Sequence, residues 1–176
     1  MHVKLLYFTD VHALVNAAKQ RGASLATDSL LDHVVYMFEI EDCSRVTTHQ
    51  LVRHRMASYD QESQRFSAAT REGFVTPPSI QSNKLALKAY DEALRAVYSA
   101  YESMVTAGVP KEDARYVLPS GIKTKLVMTL SARSLMHIVW QRTAVQAQWE
   151  IRELANMMLE KAKEATPDLW TRIIER

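Results

Sequence analysis

The sequence predicts an α+β fold in which a small, mainly antiparallel sheet carries several helices. Three observations predict it. Val34, Tyr36, Phe38 and Ile40 alternate along the chain, the period of a half-buried strand. Leu87, Tyr90, Leu94, Val97, Tyr101 and Met104 recur at three and four residues, the period of an amphipathic helix. With only Gly 4 and Pro 5 in 176 residues, and no repeat or low-complexity stretch, little chain is left for long disordered linkers.

The elements follow in order. Val3 to Phe8 reads as a strand. Asp10 is placed to cap a helix over Val11 to Gln20, which Gly22 stops. A second short helix starts near Thr27, with Asp28 or Ser29 in its first turn, and the alternating strand from His33 to Ile40 comes next. Ser44 to Arg53 reads as a helix that delivers a basic cluster, and a loop with Pro77-Pro78 follows. Asn83 to Ala107 is the clearest helix, ended by Gly108 and Pro110. A short helix over Lys111 to Tyr116 leads to Leu118-Pro119. Thr124 to Gln141 is mostly apolar and long enough to read as one buried helix. Ala147 to Ala165 forms a further amphipathic helix, with Ile151, Leu154, Met158 and Ala162 on one side and Pro167 at its end.

The totals bound the class. A 176-residue chain with 47% hydrophobic and 24% charged residues reads as one ordinary globular domain, residues 1 to 176. A net charge of +2 argues against nucleic acid or an anionic membrane as the main partner. Cys43 is the single cysteine, so no internal disulfide forms and a reducing cytoplasm fits. The start MHVKLLYFTD does not read as a charged leader with a cleavage site, and without a run of about 18 apolar residues no membrane span is expected.

The basic charge is concentrated in Arg53-His54-Arg55, with Ser63 and Arg65 downstream. Arginine keeps its charge at ordinary pH and grips phosphate or carboxylate with a planar fork. On a helix, Arg53 and Arg55 would point nearly opposite ways, toward two ligands or toward one ligand and a neighbouring subunit. If Gln61 to Ser67 is extended, Gln61, Ser63, Arg65 and Ser67 share one face. An amide, hydroxyls and a guanidinium on that face suit a ligand with a polar ring edge and a phosphate. The bland alternative is a solvated charged loop at a helix end; Leu51-Val52 before the cluster and Phe66 within the polar run weaken it.

The apolar stretch from Thr124 to Gln141 carries Ser131, Arg133, Ser134 and His137, with Arg142 just beyond. Buried on most sides, such a helix predicts a subunit interface, and its cations need a partner or a ligand anion. Arg133 pairing with a core Glu and His137 bonding a backbone carbonyl is the plainer alternative. No HxxxH, HExxH or CxxC spacing predicts a metal site. Cys43 lacks a glycine-rich elbow and reads as a small buried thiol. Neither GxGxxG nor a Walker A sequence is present, so a nucleotide here is not held by those devices.

Arg53-His54-Arg55 followed by seven residues and Ser63 resembles the signature of the flavin-dependent thymidylate synthase family. Gln50-Leu51-Val52 leads into it as in that family, and Asp32-His33 before a strand is similar to the family's Glu-His. Ala114-Arg115-Tyr116-Val117-Leu118-Pro119, Ser131-Ala132-Arg133-Ser134-Leu135 and Ala147-Gln148-Trp149-Glu150-Ile151 resemble further family segments, in order and at family spacing, from about Thr27 to Ile151.

The resemblance implies a homotetramer whose active sites are shared between subunits. It implies reductive methylation of dUMP to dTMP, with 5,10-methylenetetrahydrofolate as carbon donor, FAD as hydride carrier and NADPH as reductant. It implies a dUMP site of Gln50, Arg53, Gln61, Ser63, Gln64, Arg65, Arg115 and Arg142, with Arg142 as the catalytic, activating arginine. It implies FAD contacts from Ser29, Arg53, His54, Arg55, Gln61, Ser131, Arg133 and His137. Ser63 reads as a binding hydroxyl, because no His or Asp stands at a spacing that activates it. The chain departs from the pattern at Thr27, where the family often has His, at Asp60-Gln61 for Asn-Glu, at Ser131 and His137 for two asparagines, and at Gln146 for His. It is also short for the family, with a reduced C-terminal part. Two other readings compete: a relative that binds nucleotide and flavin without methylating, and a nucleic-acid module built on the basic cluster, which leaves Arg115 and Arg142 unexplained.

Overall fold

The computed structural model describes residues 1–23, 26–70 and 73–174; the side chains of Thr27 and of residues 172–174 lie outside the described set, and with the first of them the departure noted at that position. Four strands form one small antiparallel sheet: β1 (His2–Phe8), β2 (Val35–Ser44), β3 (Ala57–Gln61) and β4 (Lys123–Ser131), in the order β1-β2-β4-β3. The helices among the described residues are α1 (Val11–Gln20), α2 (Thr27–His33), α3 (Arg45–Leu51), α4 (Pro78–Gln81), α5 (Lys84–Thr106), α6 (Lys111–Ala114), α7 (Ala132–Arg142), α8 (Trp149–Ala165) and α9 (Pro167–Ile174), with a 3-10 turn at Arg115–Val117. The α+β expectation holds.

The chain divides into two compact units. The first holds Met1–Glu41, His49–Asp60 and Leu126–Arg176; the second holds Asp42–Thr48 and Gln61–Lys125. The first is built on the alternation seen in the sequence, with Val34, Tyr36, Phe38 and Ile40 fully buried, and Leu135, Ile138, Ile151, Leu154 and Met158 joining them. Each such aliphatic or aromatic side chain withdrawn from water contributes about 1.5–3 kcal/mol. The buried Tyr36 hydroxyl is satisfied in a directed chain. Trp170 Nε1 donates to it at 3.0 Å, it donates to Thr166 Oγ1, and Thr166 Oγ1 donates to the Ala162 carbonyl at 3.0 Å. Asp10 caps α1 as expected, accepting from the amides of His12 and Ala13.

In the second unit, Asn83 caps α5 through the amides of Leu85 and Ala86, and Gly108 leaves the helix in the left-handed region at φ 88. Only Tyr101 of the α5 stripe is buried; Leu87, Tyr90, Leu94, Val97 and Met104 remain half-buried. The alternation of β2 changes phase at its far end. Asp42 takes φ 56, which Asp tolerates better than most side chains, and Cys43 and Ser44 are buried after Ile40. Ser44 Oγ then accepts from the Thr47 amide at 3.1 Å and starts α3.

Three expectations are corrected. Thr124 to Gln141 is not one helix: β4 ends at Ser131 and α7 begins at Ala132. Thr124, Leu126, Met128 and Leu130 are buried in strict alternation, a period-2 pattern hidden by the apolar Val127 between them. Gln61 to Ser67 is not one extended face. Gln61 closes β3, and the amides of Phe66 and Ser67 then turn back onto the Ser63 carbonyl at 3.1 Å each. Arg53 and Arg55 do not lie on a helix, because α3 stops at Leu51, sooner than Arg53.

Candidate functional site

The candidate residues fall into two groups, one in each unit. In the first unit, the turn after α3 is fixed by its own backbone and by Tyr59 on β3. The His54 amide donates to the Leu51 carbonyl at 3.0 Å. The Tyr59 hydroxyl shares its proton between the Leu51 and His54 carbonyls, at 2.8 and 2.9 Å, and burial pushes the phenol up to about 12. The turn therefore sets His54 inward and leaves Arg53 and Arg55 exposed.

His54 is the centre of this group. Burial first, then the charge of Arg142, then His137 lower its pKa to about 4. It is neutral near pH 7, and Arg142 Nε donates to its Nε2 at 2.9 Å. A second nitrogen of Arg142 donates to the Gln50 carbonyl at 3.2 Å. Two acceptors on one guanidinium fix its plane as well as its place. His137, exposed on α7, meets the His54 ring edge-on at 6.1 Å and lies 6.2 Å from Trp140, itself 74% exposed.

Two other residues of this group serve the fold directly. Ser131 caps α7, accepting from the Ser134 amide at 3.2 Å. Arg133 grips both carboxylate oxygens of Asp32 and the Asp28 carbonyl, joining α7 to α2, and its hydrogen bond holds the Asp32 carboxyl below its usual value. Arg133 is thus paired with a carboxylate, but the partner is the exposed Asp32 and not a core Glu. Ser29 is half-buried on α2. Arg53 and Arg55 make no side-chain ion pair among the described residues, so two free forks and an exposed imidazole form a donor set suited to a polyanion.

The second unit holds Gln61, Ser63, Gln64, Arg65 and Arg115. Gln61 Nε2 donates to Thr48 Oγ1 at 3.0 Å and to Thr124 Oγ1 at 3.3 Å, which leaves Oε1 as the free acceptor of the amide. A carboxylate at this position would accept from those hydroxyls instead. Ser63 Oγ accepts from the Arg65 amide at 3.3 Å, and Gln64 is half-buried. Arg65 pairs with Glu112 at 2.6 Å, and Arg115 Nε donates to the Glu112 carbonyl at 3.0 Å. Glu112 on α6 therefore organises both arginines.

Sequence reading missed Arg45. It stands at the start of α3, where one guanidinium nitrogen donates to the Glu62 carbonyl at 2.8 Å while its Nε is buried without a partner. Its pKa is lowered, first by burial and then by Arg115. The available signal was a lone arginine at a strand-to-helix junction, overshadowed by the basic cluster eight residues on. Among the described residues, no group of three His, Cys, Asp or Glu side chains is placed to hold a metal ion.

The family model described as thymidylate synthase complementing protein matches residues 9–168, which include every one of these side chains. The chain belongs to this family. A flavin-dependent thymidylate synthase of Geobacter sulfurreducens is 42% identical over 158 residues, 89% of this chain and 68% of that protein. The enzyme of the same name from Saccharolobus solfataricus is 48% identical over 146 residues, 81% of this chain and 55% of its own. A third, from Pyrococcus furiosus, is 44% identical over 138 residues, 76% of this chain and 57% of its own. The chain thus spans from about half to two thirds of the length of these flavin-dependent thymidylate synthases.

Proposed function

We propose that this chain is a flavin-dependent thymidylate synthase, converting dUMP to dTMP with 5,10-methylenetetrahydrofolate as carbon donor, FAD as hydride carrier and NADPH as reductant. The observation that carries the reading is the Arg142 guanidinium, held in one orientation by neutral His54 and the Gln50 carbonyl. A fixed cation at the edge of a pyrimidine stabilises negative charge that develops on the ring as carbon is added. Because its acceptors are already in place, the charge need not reorganise during the reaction.

The remaining roles follow from chemistry. Gln50, Arg53, Gln61, Ser63, Gln64, Arg65 and Arg115, with Arg142, hold dUMP. Arg65, Arg115 and the Ser63 region take its phosphate, through charge-assisted bonds of about 1.5–3 kcal/mol each. Gln61 Oε1 accepts from a sugar or base donor without a net charge. Ser29, Arg53, His54, Arg55, Gln61, Ser131, Arg133 and His137 hold FAD. Among them Arg53, Arg55 and His137 present free donors suited to its pyrophosphate, while Ser131 and Arg133 fix α7 and α2. FAD supplies the hydride chemistry when bound, and the protein orients it.

Residues 1 to 176 act as one functional domain in a cytoplasmic homotetramer with active sites shared between subunits. The half-buried stripe of α5 and the exposure of Met56 and Trp140 support self-association. No described helix is long and apolar enough to cross a membrane. The visible absorbance spectrum tests the reading. Protein mixed with FAD and freed of unbound flavin should show flavin bands that shift on adding dUMP; a colourless protein, or bands indifferent to dUMP, contradicts it.

A further inference from the structure

We propose that Arg45 is a positioning and specificity residue for the phosphate of the substrate, a role that rests on the dUMP reading above. It acts by holding the Glu62–Ser67 turn and by sharing a positive field with Arg115. The turn carries Ser63, Gln64 and Arg65, and it is tied down at several points. Arg45 donates to the Glu62 carbonyl at 2.8 Å, the Glu62 amide donates to the Lys125 carbonyl at 3.0 Å, and Ser67 Oγ donates to the Glu62 carboxylate at 2.7 Å. At its far end Lys111 Nζ donates to the Phe66 carbonyl at 3.1 Å.

A clamp alone does not explain the choice of a guanidinium. Its Nε is buried and unpartnered, and a terminal guanidinium nitrogen donates to a single backbone carbonyl, that of Glu62. Arg45 is half-buried, and a buried Nε without an acceptor is costly unless an anion completes it. Glu62 is the nearby carboxylate that favours its charge, but Arg115 opposes it, and Cys43 is the remaining neighbour. Across the connected set, Arg45, Arg65, Lys111 and Arg115 face Glu62 and Glu112, four cations against two carboxylates. Among the described residues of this set positive charge is in excess, which suits a phosphate. Asp113, on the same short helix, is exposed to solvent.

Calorimetric titration of the full chain with dUMP and with deoxyuridine tests this. The two share base and sugar and differ only in the phosphate. Arg45→Gln should raise Kd for dUMP about tenfold, through a loosened turn and a weaker positive field at the phosphate, and leave deoxyuridine binding unchanged. Arg45→Lys should recover part of the loss, and Arg45→Gln combined with Arg65→Gln should cost less than the two effects multiplied, since both act through one turn. In turnover, KM for dUMP should rise with kcat at saturation preserved. If Arg45→Gln fails to fold, Arg45→Lys carries the test, because it keeps the charge without the fork. Equal loss for dUMP and deoxyuridine makes Arg45 a fold residue only and overturns the inference, as does wild-type affinity in the variants. A wild-type chain that binds no dUMP overturns the functional reading itself.

Discussion

His54 is where sequence position and electrostatics meet most tightly. As the middle residue of Arg53-His54-Arg55 it reads as a third cation, yet burial and the adjacent Arg142 keep it neutral. Neutrality is what lets it accept from Arg142. The linkage has a definite sign. The folded pKa is depressed to about 4, below the unfolded value of 6.5, so the unfolded chain binds the proton first as pH falls. Stability should therefore be full above pH 6.5 and decline between 6.5 and 4, by at most about 1.4 kcal/mol per pH unit. Urea unfolding midpoints across that window should slope for the wild type and lose this component of the slope in His54→Gln. An identical slope in both would mean that His54 is not held neutral. Which charges of the cluster are real was not legible in the residue types. It is decided by whether the turn after α3 buries or exposes each side chain.

At the scale of elements, β4 and α7 show how a reading can find the right residues in the wrong conformation. Thr124 to Gln141 reads from the sequence as buried and as carrying Ser131, Arg133 and His137, with Arg142 just beyond. The strand was missed because Val127 keeps the apolar run unbroken, so helix and strand periods both fit. Ser131, read as a ligand contact, is also the residue at which strand becomes helix, with its hydroxyl capping α7. The distinction is measurable. Met128 is fully buried and Lys125 exposed on the same strand. Met128→Ala should cost about 2–5 kcal/mol in chemical denaturation, while Lys125→Ala should fall within about 0.5 kcal/mol of wild type. Comparable losses at both positions would contradict the alternation. By contrast α1, α5 and α8 were legible nearly to the residue, because Asp10, Asn83 and Pro167 mark their ends by local chemistry.

For the whole molecule, the order of motifs was more informative than any fold detail. The segments around Arg53, Arg115, Arg133 and Gln148 lie within the stretch from 9 to 168 that matches the family. The division into two units was not legible, since each is assembled from separated stretches of chain and no linker composition marks the boundaries. Arg45 was missed for a related reason: its meaning depends on Glu62 and Arg115, which lie far away in sequence. The central claim is that these groups serve one reaction in which Arg142 carries the activating charge. Release of tritium from dUMP labelled at C5 measures that reaction most directly. The wild-type protein with FAD, methylenetetrahydrofolate and NADPH should release it, dependent on both co-substrates, and Arg142→Ala should release none while still folding. No release from a flavin-loaded wild type, or undiminished release from Arg142→Ala, would contradict the account.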